Sequence, residues 1–200
     1  DIGRKCAALY DYTSDCLTKL KKAGVDVGMI QLGNETTTGL AGERTWKNIC
    51  ALMAAGAKAS REVNKDALIA VHFANPENAS NYEKFARNLD KYELDYDVFA
   101  SSYYPYWHGT LENLTAVLKK IADTYGKKVM VAEMSYAYTV QDSDFHANVI
   151  GGEKNYTKNY PLTVQGQATA VAETIRAVAN VGAAGIGFFY WEPAWISVGG

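Results

Sequence analysis

The stretch Val25-Asp-Val-Gly-Met-Ile-Gln-Leu-Gly33-Asn34-Glu35 decides the fold. Up to Gly33 it is mostly apolar, too short for a helix and bounded by glycine, which predicts a buried parallel strand. Asn34 and Glu35 then place an amide and a carboxylate just past the strand's C-terminal end. Ahead of it, Leu9, Tyr12, Cys16, Leu17 and Leu20 recur at three- and four-residue steps, the mark of a helix with one apolar face. Gly24 ends that helix, since glycine tolerates left-handed backbone angles.

The same unit repeats along the chain. Trp46, Ile49, Cys50, Met53 and Ala57 predict a helix, followed by a strand over 67–73. Ser80 with Glu83 reads as a capping box opening the next helix, which carries Phe85 and Leu89. A strand over 98–104 follows, then a helix marked by Leu111, Leu114, Val117, Leu118 and Ile121, then a strand over 128–132. The last pair is a helix with Val171, Ile175 and Val178 and a strand over 185–191, in which Phe188 and Phe189 are expected in the core. Strands alternating with helices predict a parallel α/β sheet in a single catalytic domain spanning 1–200. A (β/α)8 barrel fits best, with this chain supplying strands four to eight and opening on the helix before strand four.

Composition narrows the function. A net charge of -2, with 48% hydrophobic and 21% charged residues, gives no electrostatic case for nucleic acid or an anionic membrane as partner. No apolar stretch is long enough to span a bilayer, and the N-terminus shows no export signal. No strand is followed by a Gly-x-Gly-x-x-Gly turn, which weakens a dinucleotide-binding reading. Cys6, Cys16 and Cys50 are an odd number without metal-type spacing, so at most one disulfide closes within the chain. Cys16 and Cys50 lie on apolar helix faces, where buried free thiols are expected.

In a barrel, side chains at the C-terminal strand ends converge on one face. These ends carry Asn34 and Glu35; His72; Tyr104, Trp107 and His108; Glu133 and Tyr136; and Trp191, Glu192 and Trp195. The strand bodies carry almost no charge. Glu35 and Glu133 are the expected catalytic pair, because cleaving a glycosidic bond with retention needs a nucleophilic carboxylate and a carboxylic acid close together. Asn34 suits a hydrogen bond to a sugar hydroxyl, and the aromatic residues suit stacking on the apolar face of a pyranose. His72 and His108 fit either orientation of the carboxylates, hydroxyl binding or a purely structural role. Glu192 is a rival carboxylate that fits substrate binding or holding the turn.

Gly33-Asn34-Glu35 and Ala132-Glu133-Met134-Ser135-Tyr136 resemble the acid/base and nucleophile strand ends of the clan of retaining (β/α)8 glycosidases. Met29 to Glu35, Ser102 to His108 and Tyr190 to Trp195 look like the endo-β-1,4-galactanase family within that clan. The resemblance implies hydrolysis of internal β-1,4-galactosyl bonds in galactan or type I arabinogalactan, outside the cell, with no cofactor required for the chemistry. It makes Glu35 the acid/base, Glu133 the nucleophile and Trp191 the floor of the subsite at the cleavage point. It also expects an arginine from an early strand, which no residue here matches, and exposed barrel edges that invite self-association. Mannanase, xylanase or cellulase activity, or an inactive carbohydrate-binding remnant, are the alternatives.

The long stretch from Tyr138 to about Thr163 holds Asp142, Asp144, His146 and Asn148 at every second position. Some galactanases resembling this chain tie this loop down with calcium, and the four residues are candidate ligands for a structural Ca²⁺. A solvated polar loop is the alternative.

Overall fold

The computed structural model describes residues 1–141 and 159–192. Its elements run α1 (Ile2–Lys22), β1 (Met29–Leu32), α2 (Trp46–Val63), β2 (Leu68–Phe73), α3 (Ala79–Lys91), β3 (Val98–Ser102), α4 (Leu111–Tyr125), β4 (Lys128–Met134), α5 (Val164–Ala179) and β5 (Gly185–Tyr190). The strands form one parallel sheet in the order β1-β2-β3-β4-β5. Sequential parallel neighbours joined through helices are the repeating unit of a (β/α)8 barrel, and five such strands make an arc of one.

Two apolar clusters follow from the two-residue period of the strands. On the helix side, Leu32, Ile69, Val71, Phe73, Phe99, Val129 and Val131 pack against Ile49, Met53, Phe85, Leu89, Leu118 and Ile121. On the concave side sit Ala70, Val98, Ala100 and Met130, with Met29, Leu68 and Ala132 against them. His72 comes two residues after Ala70, and Ser102 two after Ala100, so strict alternation carries both to the mouth of the concave face. Beyond them β4 breaks register: Ser101 pairs with Val131, but Ser102 pairs with Glu133. The extra residue is a β-bulge, which re-aims a side chain. It turns Glu133, whose sequence parity belongs to the helix side, toward Ser102.

Several expectations need correction. The capping box at Ser80 does not form; Asn78 caps α3, accepting from the Asn81 amide, and Ser80 donates to the Asn78 side chain. An asparagine caps at least as well as serine and comes first in the chain. Glu83 is thereby released to pair with Lys120. Along α1 only Leu17 is buried, while Tyr12 and Leu20 are exposed. Among the described residues α1 packs chiefly against one helix, α2, so part of its apolar stripe stays uncovered. Phe189 is also exposed, at 58%. Phe188 packs toward the helices, so Phe189 points to the other face of a strand that, among the described residues, has a partner on one side only. Cys50 is buried and burial pushes its thiol up to about 11; Cys16 and Cys6 are half-buried, and all three are free thiols.

Candidate active site

Glu35 stands in a turn built to hold it. Gly33 has φ +79, and a Cβ there would meet Thr36 Cγ2 at 2.7 Å and Leu40 Cδ1 at 2.9 Å, so only glycine fits. Glu35 itself has φ 44, an unusual left-handed conformation for a side chain of its size. The turn is tied to β2: the Thr36 amide donates to the His72 carbonyl at 2.8 Å, and the Thr36 hydroxyl donates to the same oxygen at 3.0 Å. Strain of this kind persists where neighbours over-determine the backbone, and such places are commonly functional.

The two glutamates meet. One oxygen each from Glu35 and Glu133 and a ring nitrogen of His72 all lie within 4.8 Å of one another. Ser102 Oγ donates to Glu35 Oε1 at 2.6 Å, and Tyr104 Oη donates to Glu133 Oε2 at 2.9 Å. Burial raises the Glu133 carboxyl above its ordinary range; the Tyr104 hydroxyl opposes that rise, and the charges of Glu35 and Glu192 add to it. Burial, followed by the hydrogen bond to Glu133, pushes the Tyr104 phenol well above its ordinary value.

The histidines are structural neighbours of this pair. His72 is fully buried, and both ring nitrogens are engaged: Nδ1 accepts from the Glu35 amide at 3.3 Å and faces Asn34 Oδ1 at 3.1 Å, while Nε2 meets Ser102 Oγ at 2.8 Å. Both nitrogens of His72 are thus engaged within the protein, in contact with the Glu35 turn and with Ser102. The same bonds leave no free lone pair for a metal ion. Nδ1 of His108 accepts from the Tyr104 amide at 2.9 Å. Burial drives both rings down to about 4, so they are neutral near pH 7.

The aromatic residues divide by exposure. Trp107 is 45% and Trp191 43% exposed, and both remain open to a ligand. Trp191 is anchored by its amide, which donates to the Met134 carbonyl at 2.9 Å. Tyr136 departs from the expectation of sugar contact: it is buried, its ring stacks on Tyr106 at 4.9 Å, and its hydroxyl donates to the Tyr160 carbonyl at 2.7 Å. Glu192 is exposed, with φ 54. Trp195 and the candidate calcium ligands Asp142, Asp144, His146 and Asn148 lie outside the described residues.

Sequence reasoning missed Ser102 and Thr36. The signal for Ser102 was present, since it continues the inward parity of Val98 and Ala100. The model of glycosyl hydrolase family 53 matches residues 1–200. The chain belongs to that family. It is 58% identical over 195 residues to an endo-beta-1,4-galactanase of Bacillus subtilis (strain 168), an alignment covering 98% of this chain and 45% of that protein. Against an arabinogalactan endo-beta-1,4-galactanase of Cellvibrio japonicus (strain Ueda107) the identity is 34% over 210 residues, covering 98% and 54%. Among solved structures, the family 53 catalytic domain from Ignisphaera aggregans superposes with a TM-score of 0.90 at 31% identity, covering 98% of this chain and 56% of that one. The chain thus spans about half the length of the family members it matches. The match to a solved family 53 domain agrees with the reading of this sheet as an arc of a (β/α)8 barrel. Among the described residues, no helix is long and apolar enough to cross a membrane.

Proposed function

We propose that this chain carries the catalytic carboxylates of a retaining glycoside hydrolase that cuts internal β-1,4-galactosidic bonds in galactan or type I arabinogalactan. The observation that carries the reading is the approach of Glu35 and Glu133 within 4.8 Å. Retaining enzymes hold their two carboxyl groups about 5–5.5 Å apart, whereas inverting ones need about 6.5–9.5 Å to admit a water. The galactan assignment draws on the names of the relatives reported above.

In the first step a Glu133 oxygen attacks the anomeric carbon while Glu35 gives its proton to the departing glycosidic oxygen. The products are a galactosyl ester on Glu133 and a shortened chain with a free hydroxyl. In the second step Glu35, now a carboxylate, takes a proton from water as the water oxygen attacks the anomeric carbon, and Glu133 leaves as a carboxylate. Tyr104 holds Glu133 in line, and Trp107 and Trp191 offer open rings to the sugar faces. The chemistry asks for no cofactor. A polymeric cell-wall substrate implies work outside the cell. A structural calcium at Asp142, Asp144, His146 and Asn148 rests on their spacing in the sequence and on the family resemblance.

The test uses the whole protein that carries this segment, incubated with galactan, mannan, xylan and cellulose and scored for new reducing ends. Release from galactan, lost in Glu133→Ala with oligosaccharide binding retained, is the expected result. Release from mannan alone, or normal turnover by Glu133→Ala, overturns the reading.

A further inference from the structure

Ser102 Oγ holds Oε1 of Glu35 at 2.6 Å from inside the protein. We infer that Ser102, aligned by His72, holds Oε1 as a permanent acceptor and leaves Oε2 as the oxygen that exchanges protons with substrate and water. This rests on the reading of Glu35 as the acid/base and adds two positioning residues to it.

A chain of single protons fixes the direction. A carboxylate can only accept, so in the step where Glu35 acts as base the one hydroxyl proton of Ser102 points at Oε1. Ser102 Oγ is then free to accept from His72 Nε2, 2.8 Å away. A neutral imidazole has one N–H, so Nδ1 is left with a lone pair, and the Glu35 backbone amide, which can only donate, faces it at 3.3 Å. The loop closes on the residue it serves: Glu35's own amide sets the tautomer of His72, which sets the hydroxyl of Ser102, which holds the Glu35 carboxylate.

The opposite tautomer would send an Nδ1 proton to Asn34 Oδ1 at 3.1 Å, whereas the first needs the Asn34 amide turned over so that its NH2 faces Nδ1. It would also turn the Ser102 proton toward His72 and set a hydroxyl lone pair against Oε1. A carboxylate cannot tolerate that contact; only a Glu35 protonated on Oε1 could, and that proton would point into the protein, away from a sugar. Ser102 and His72 are both fully buried, so water does not replace either link. Burial also keeps His72 neutral, as the single-proton argument requires.

The experiment compares Ser102→Ala with wild type in the whole protein, using a dinitrophenyl β-1,4-galactobioside with and without azide. This leaving group departs without a proton, so the base-assisted second step limits the rate, and azide replaces water without needing a base. The expected result is a fall in kcat of about 10- to 100-fold, the worth of a hydrogen bond to a charged group. KM falls in parallel, so that kcat/KM stays within roughly twofold, and azide restores turnover with a β-galactobiosyl azide product. If Ser102→Ala does not fold, Ser102→Cys, a weaker donor, carries the same comparison. An unchanged kcat, or a loss that azide leaves untouched, overturns the inference. Glu35→Ala is run in parallel: if azide fails to restore it, the acid/base reading falls; if azide restores Glu35→Ala but not Ser102→Ala, only the role of Ser102 and His72 falls.

Discussion

Tyr104 donates its phenol proton to Glu133 Oε2 at 2.9 Å, joining the mouth of β3 to the end of β4. Among the described residues it is the one hydrogen bond that opposes the effect of burial on this carboxyl. Tyr104→Phe removes it. The Glu133 carboxyl then rises further, and the acidic limb of kcat/KM moves to higher pH. The rate at the optimum falls about 10- to 100-fold, with little change in KM. A pH–rate profile of the variant beside wild type checks both.

The same burial has a stability consequence. The Glu133 carboxyl binds its proton more tightly in the folded protein than at its ordinary value of 4.5. Its contribution to stability is therefore full below that value and is lost as the pH climbs through the raised folded value. Glu133→Gln carries no charge at any pH. Calorimetry should find it more stable than wild type at pH 7, by about 2 °C in Tm, and level with wild type near pH 4.

Gly166, in the first turn of α5, sits against the backbone of Pro161. A Cβ there would lie 1.8 Å from the Pro161 carbonyl oxygen, a distance that no side-chain motion relieves. Gly166→Ala should destabilise by about 3 kcal/mol, lowering Tm by roughly 6–12 °C. Thermal unfolding followed by circular dichroism measures this directly.

Trp191 offers the contrasting case, since it is 43% exposed and little of the core rests on it. Trp191→Ala should leave Tm within roughly 1 °C of wild type. Its KM for galacto-oligosaccharides should rise about tenfold through loss of the aromatic platform. Steady-state kinetics paired with a melting curve separate the two effects.

Much of this was legible in the sequence because apolar runs bounded by glycine have one economical home in an α/β fold. The helix spacing of Ile49, Met53 and Ala57, or of Leu114, Val117 and Ile121, faces the sheet as its period requires. The edges were less readable. Strand β1 begins at Met29 rather than Val25, which is 48% exposed, because Leu68, the first residue of β2, pairs with Met29. Phe189 reads as core by composition alone, since its exposure depends on how many strands lie beside it. The carboxylates were identifiable by type and strand-end position. Their hydrogen-bond partners were not, because Ser102 and Thr36 act through contacts that join residues 67 and 36 positions apart.

The slip in β4 carries a practical lesson for anyone altering this protein. Counting every second residue from Met130 nominates Ala132 and Met134 as the inward positions and passes over the carboxylate between them. Forcing the strand at its present length into perfect alternation, with Ser102 opposite Ala132, would swing that carboxylate out among the helices. Here the irregular spacing is the working part, and a tidied strand would be a better sheet in a dead protein.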